Sequence, residues 1–145
     1  RDSTVIDLLG QQFEAVPVCP EVELGMGVPR EPVRLVANDA SSERMVGSES
    51  GKDWTQAMVD FNSIKLEALR QQNLSGFIFK SRSPSCGPGN VPLHHEQEKS
   101  STVGLFAHAL MQYFPSLPVI DEEALQDEIV RQDFVARVIQ YGEKV

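Results

Sequence analysis

Apolar residues enter this chain in short bursts whose spacing changes from one segment to the next. Val5, Ile6, Leu8 and Leu9 follow Ser3 and Thr4, either of which suits an N-cap, and Gly10 is a natural stop. That pattern predicts a short opening helix. Phe13 to Val18 reads as a buried strand ending on Pro17-Val18-Cys19-Pro20, with Pro17 where no ladder donor is needed. Pro20, Gly25, Gly27, Pro29 and Pro32 punctuate residues 20–32 as a loop. Val33 to Ala37 predicts a second strand. Residues 38–52 are polar and read as a loop with a brief extended piece at Met45-Val46.

The clearest helical period follows. Asp53 or Thr55 can cap it, and Trp54, Ala57, Met58, Phe61, Ile64 and Ala68 recur at helix spacing up to Gln72, with Asn73 as the stop. Gly76-Phe77-Ile78-Phe79 is a continuous apolar run too short for a helix, as a strand covered on both faces would be. Residues 88–100 read as a long exposed loop carrying His94 and His95. Thr102 to Phe114 predicts a helix with Val103, Phe106, Leu110 and Tyr113 on one face. Leu117 to Ile120 predicts a strand. From Asp121 a helical tail places Leu125, Ile129, Phe134, Val138 and Tyr141 about one per turn. This order predicts an α/β fold with a mostly parallel sheet covered by helices, a Rossmann-like three-layer sandwich. Residues 1–120 form the α/β domain, and 121–145 a C-terminal helix or a linker to a second domain beyond Val145.

Composition narrows the function. At 145 residues, 41% hydrophobic and 23% charged, the chain has one domain's worth of core. Thirteen Lys plus Arg against twenty-one Asp plus Glu give a net charge of −8. That argues against a nucleic-acid binder that tracks the phosphate backbone and against adsorption to anionic lipid. No apolar run approaches the ~20 residues of a membrane span, and no leader pattern opens the chain, so a cytoplasmic setting is expected. The chain opens on Arg1 and on a helix rather than a strand, which leads us to expect further residues upstream.

Two cysteines are too few for a disulfide scaffold. They can be inert core thiols, a reactive pair, or part of a metal site completed from elsewhere. Each lies just past an apolar strand run, where open α/β sheets bind ligands. Pro20 and Pro84 stiffen the two loops, Gly87 permits close approach, and Ser83 and Ser85 supply hydroxyl donors. Thiolates in such a setting suit an iron–sulfur cluster or zinc. His94 and His95 can complete a zinc site, although adjacent histidines in a polar loop are commonly just solvated.

Four segments together form a recognisable set. They are Val16-Pro17-Val18-Cys19-Pro20-Glu21-Val22-Glu23, Gly27-Val28-Pro29-Arg30-Glu31-Pro32, Gly51-Lys52-Asp53, and Phe79-Lys80-Ser81-Arg82-Ser83-Pro84-Ser85-Cys86-Gly87. They resemble the bacterial domain-of-unknown-function 523 family, which includes thiouracil desulfurase, from Arg1 to about Pro118. The stretch from Gly104-Leu105-Phe106 to Tyr141 resembles the variety in which this domain precedes a second, helical one. The resemblance implies a 4Fe-4S cluster held by three cysteines with one iron left open. Two of them map onto Cys19 and Cys86. The third belongs to a Cys-Leu-Leu-Gly-type turn, expected upstream of Arg1; Asp7-Leu8-Leu9-Gly10 is read as a decoy at a helix end.

The resemblance further implies removal of sulfur from a small thiolated pyrimidine or related compound, with the open iron as Lewis acid. Glu21 is the acid/base candidate, with Glu14 and Glu23 as weaker ones. Lys80 and Ser83 would orient a pyrimidine carbonyl or stabilise developing negative charge, and Ser85 and Arg30 would bind substrate. Two alternatives stand beside this reading. One is a non-catalytic binding or regulatory module, and the other a thiol enzyme with Cys86 as nucleophile, activated by His94 or His95. A homo-oligomer is compatible with either.

Overall fold

The alternation of Val33 to Ala37 makes β1 (Val33–Ala37), which buries Leu35 and Ala37 on one face. The computed structural model describes residues 13, 18–26, 31–37, 43–94 and 99–143. The predicted opening helix, and the predicted strand over 13–18 except for its two end residues, lie outside that set. β2 (Glu43–Gly47) pairs antiparallel with β1, Leu35 opposite Met45, so both buried side chains enter the same core.

The longest helix near the site, α2 (Thr55–Arg70), starts where Asp53 Oδ1 accepts the Thr55 N–H at 2.8 Å. Thr55 Oγ1 in turn accepts the Met45 N–H at 2.8 Å, which ties the helix start to β2. The buried face differs from the predicted stripe. It runs through Met58, Asn62, Leu66 and Leu69, while Ile64 is 75% exposed and Ala57 and Ala68 are also at the surface. The neighbouring helix decides the rotation. α3 (Leu105–Tyr113) packs on α2, and Asn62 Nδ2 lies 3.4 Å from the Leu105 carbonyl.

β3 (Phe77–Phe79) pairs parallel with β6 (Val119–Asp121), Ile78 opposite Ile120. Phe77 stacks against Phe79 and Phe106, with ring centroids 4.8 and 5.9 Å apart. The segment predicted as a long loop over 88–100 instead contains a hairpin, β4 (Val91–His94) against β5 (Lys99–Thr102). Its signal was the alternation of Val91 and Leu93, both buried, around exposed Pro92. Pro92 precedes the residues of β4 that pair with β1, so its missing N–H removes no bond from that ladder. Thr102 accordingly ends a strand rather than starting α3.

The fold is mixed α/β. Among the described residues, one sheet runs β2-β1-β4-β5 with only β1–β4 parallel, and β3–β6 forms a separate two-stranded parallel sheet. The predicted mostly parallel, Rossmann-like sheet is therefore corrected, because the hairpin at β4–β5 and the β1–β2 pair are antiparallel. After β6 a 3-10 turn (Ala124–Gln126) leads into α4 (Glu128–Glu143). Leu125, Phe134 and Val138 are buried as predicted, whereas Ile129 is 79% exposed because, five positions before Phe134, it lies on the opposite face of the helix. No helix among the described residues is long and apolar enough to cross a membrane.

Candidate functional site

Two loops meet at one cleft of about 380 Å³. The first is short and stiff. Pro20 occupies the first turn of α1 (Pro20–Glu23), where its missing N–H leaves nothing unpaired. Cys19 precedes it as the N-cap, exposed, with its N–H donated to Glu23 Oε2 at 2.8 Å. Glu23 also pairs with Lys65 Nζ of α2 at 2.8 Å, so the turn is pinned to the helix behind it.

The second loop, residues 81–87, follows β3 and closes on the start of α3. The Pro84 carbonyl accepts the Leu105 N–H at 3.0 Å, and the Ser85 carbonyl accepts those of Phe106 and Ala107 at 2.8 and 3.0 Å. The loop thus satisfies amides that a helix start would otherwise leave unpaired. Two glycines make the approach possible. A Cβ on Gly104 would lie 2.6 Å from the Ser85 carbonyl carbon, and one on Gly87 would press on Val91 and sit 2.9 Å from Arg82 N.

Across the cleft the two loops share one hydrogen-bond chain. Ser85, only 1% exposed, has its Oγ 2.8 Å from Glu21 Oε2, 3.1 Å from Ser83 Oγ and 3.7 Å from Cys86 Sγ. A serine hydroxyl has one hydrogen. The carboxylate is the nearest and only charged acceptor, so Ser85 donates to Glu21 and Ser83 donates to Ser85. Ser83 Oγ meanwhile accepts the N–H of Ser85 at 3.3 Å and of Cys86 at 3.2 Å. The result is a directed chain, Ser83 to Ser85 to Glu21, spanning 64 positions in sequence.

Burial pushes the Cys86 thiol up to about 12; the charges of Glu21 and Cys19 act in the same direction, and Lys80 pulls it down. A neutral, desolvated thiol of this kind is a poor nucleophile, and a metal ion that displaced its proton would relieve the burial penalty.

The residues expected from sequence fall out as follows. Cys19, Glu21, Lys80, Ser83, Ser85 and Cys86 all line the cleft. Arg30 and His95 lie outside the described residues. His94 stands on β4 opposite Val36 and Lys99 and is not among the residues lining the cleft. Residues that the motif reading missed are Val33, which also lines the cleft, and Gly104 and Glu122, which hold the second loop. A glycine directly ahead of an apolar helix, and a pair of carboxylates directly after an apolar strand, were the available signals.

The donor chemistry suits an iron–sulfur cluster as far as it goes. Two soft thiols line one cleft, and a hydroxyl stands within reach of the Cys86 sulfur. Among the described residues, no three of His, Cys, Asp and Glu converge as a metal-binding group, and a cluster held here would need a further ligand.

Comparison with known proteins bears on this cleft. A family model described as 2-thiouracil desulfurase matches residues 1–122. The uncharacterized protein YbbK of Bacillus subtilis (strain 168) is 31% identical over 93 residues, which is 61% of this chain and 62% of YbbK. The chain therefore spans somewhat less than two thirds of that relative. The solved structure of the 4Fe-4S-dependent thiouracil desulfidase TudS superposes with a TM-score of 0.61 at 27% identity, over 83% of this chain and 76% of TudS.

Proposed function

The chain belongs to the 2-thiouracil desulfurase family, and on that premise we propose that it removes sulfur from a small thiolated pyrimidine bound in the cleft between Cys19 and Cys86. In this reading those two thiols would hold a 4Fe-4S cluster together with a further ligand. When bound, such a cluster with one open iron supplies a Lewis acid for the substrate's sulfur.

The chain's own groups do the rest. In net hydrolysis the oxygen of water ends on the ring carbon, and sulfur leaves as hydrogen sulfide. Glu21 takes a proton from the attacking water and passes it to the departing sulfur, and the Ser85 and Ser83 hydroxyls hold that carboxylate in place. Lys80, an exposed cation whose charge bears on Cys86, orients the pyrimidine carbonyl or offsets developing negative charge. Ser85 and Arg30 contribute to substrate binding. On the same reading the catalytic unit is residues 1–120, the tail from 121 supports or links it, and the compartment is the cytoplasm.

The observation that carries this reading is the convergence of Cys19, Glu21, Ser83, Ser85 and Cys86 on one cleft. The test is anaerobic reconstitution of the full-length protein with iron and sulfide, then release of sulfide from 2-thiouracil. Brown protein with broad absorbance at about 400 nm is expected, and Cys19→Ser or Cys86→Ser should abolish the colour. Glu21→Gln should keep the colour and lose turnover by roughly 10²-fold or more. Wild-type protein that stays colourless and free of iron after reconstitution would remove the reading.

A further inference from the structure

The corner between β3 and the cleft is held by a carboxylate from another strand. Glu122, the residue after β6, captures both donors of Ser81. Its Oε2 accepts the Ser81 N–H at 2.7 Å, and its Oε1 lies 2.7 Å from Ser81 Oγ. Its own N–H is donated to the Phe79 carbonyl at 3.2 Å, so the carboxylate cannot drift from the end of β3. Glu123 Oε1 lies 2.8 Å from the same hydroxyl and pairs with the Arg82 guanidinium. Arg82 has φ 60, a region that L side chains rarely adopt, and it is the residue at which the chain turns into the cleft.

The two carboxylates are not equivalent. The Arg82–Glu123 pair is at the surface, with side chains 66% and 54% exposed, where an ion pair contributes little. Glu122 is half-buried, and its acceptors meet an N–H and a hydroxyl in a charge-assisted geometry. Burial alone would raise its carboxyl; the Ser81 hydroxyl and N–H outweigh that and hold it below the usual carboxylate range. The loop beyond is fixed at its far end by the start of α3. Between these two anchors lie Ser83, Ser85 and Cys86.

We propose that Glu122 is a positioning residue: by holding Ser81, it presets the 81–86 loop and so places Cys86 and Ser83 opposite Cys19 before any cofactor is bound. The functional meaning rests on the reading of the cleft given above, but the geometry is tested without it. The experiment is alkylation of the full-length apoprotein by iodoacetamide under native conditions, with the rates at Cys19 and Cys86 followed separately by peptide mass spectrometry. Cys86 is half-buried, so its modification rises with the population of the locally opened loop. Glu122→Ala should therefore raise the Cys86 rate about tenfold while Cys19 changes less than about twofold. Glu123→Gln should stay within about twofold at both sites. Ser81→Ala added to Glu122→Ala should give less than the product of the two single effects, because both remove one contact.

Amide exchange over 81–86 should quicken in Glu122→Ala while the amides of α3 past its first turn do not change. An unchanged Cys86 rate overturns the proposal. So does a parallel rise at Cys19, Cys86 and the core amides, which would mean general loosening. If Glu122→Ala does not fold, Glu122→Gln is read by the same criteria, with an expected rise of about threefold because one acceptor is kept. Failure of wild-type protein to take up iron and sulfide would remove the desulfurase reading and leave this comparison standing.

Discussion

Gly104→Ala isolates the contact that presses the cleft loop onto α3. Gly104 has φ −58 and ψ 151, a conformation alanine adopts freely, so the backbone itself is no obstacle. The obstacle is the neighbour. The added methyl would lie 2.6 Å from the Ser85 carbonyl carbon, 2.7 Å from its oxygen and 2.8 Å from the Ser83 oxygen, all of them backbone. Ordinary contact begins near 3.4 Å, so the loop must retreat by about 0.8 Å. That retreat pulls on the three hydrogen bonds from Leu105, Phe106 and Ala107 to Pro84 and Ser85. Overpacking of this kind costs ~1–3 kcal/mol, and each weakened cap bond up to ~1 kcal/mol more. Together these give ~1–6 kcal/mol, which for a chain of this length lowers the thermal midpoint by roughly 3–18 °C. Gly89→Ala is the control, since its methyl would meet nothing within 4 Å; that substitution should be neutral or stabilise by up to ~1 kcal/mol through the unfolded chain. The assay is thermal and urea unfolding followed by circular dichroism. A Gly104→Ala midpoint within about 1 °C of wild type would refute the close-approach argument.

Two further outcomes check other parts of the molecule. The Arg70 guanidinium and then the Tyr113 hydroxyl, 2.7 Å away, hold the Glu67 carboxyl down to about 2 from 4.5. A depressed carboxylate stabilises the fold fully above its unfolded value. That contribution is lost as pH falls from about 4.5 toward 2. Carbon-13 NMR should find Glu67 still ionised at about pH 3, and Tyr113→Phe should move its midpoint upward; a midpoint at the ordinary value would contradict the cluster. Phe106 is fully buried and stacks on Phe61 and Phe77 at 6.1 and 5.9 Å. Phe106→Ala should cost ~3–5 kcal/mol in urea unfolding, and a loss below ~1 kcal/mol would show that the ring is not central to the core.

Local pattern made several elements legible. The strand at Val33–Ala37, the helix beginning near Asp53, the Phe77–Phe79 run and the buried Leu125, Phe134 and Val138 all follow from which residues prefer to leave water, a property each side chain carries with it. The paired motifs around Cys19 and Cys86 likewise named six residues that line one cleft. The hairpin at Val91–Thr102 was hidden because Pro92, the two histidines and a run of charged and polar residues gave the segment a loop's composition, while its alternation was only two buried residues long.

What the sequence by itself determined was therefore burial and chemistry: which stretches must be covered, and which side chains have the sulfur, carboxylate and hydroxyl groups a reaction needs. Only the tertiary structure decided direction and partnership. The antiparallel pairing of β1 with β2 and of β4 with β5, the rotation of α2, the donation of Ser85 to Glu21, the high thiol of Cys86 and the hold of Glu122 on Ser81 all depend on groups brought in from distant parts of the chain. Hydrophobic period records that a residue is covered, not by what. A hydrogen bond or a desolvation shift exists only once the covering group is in place.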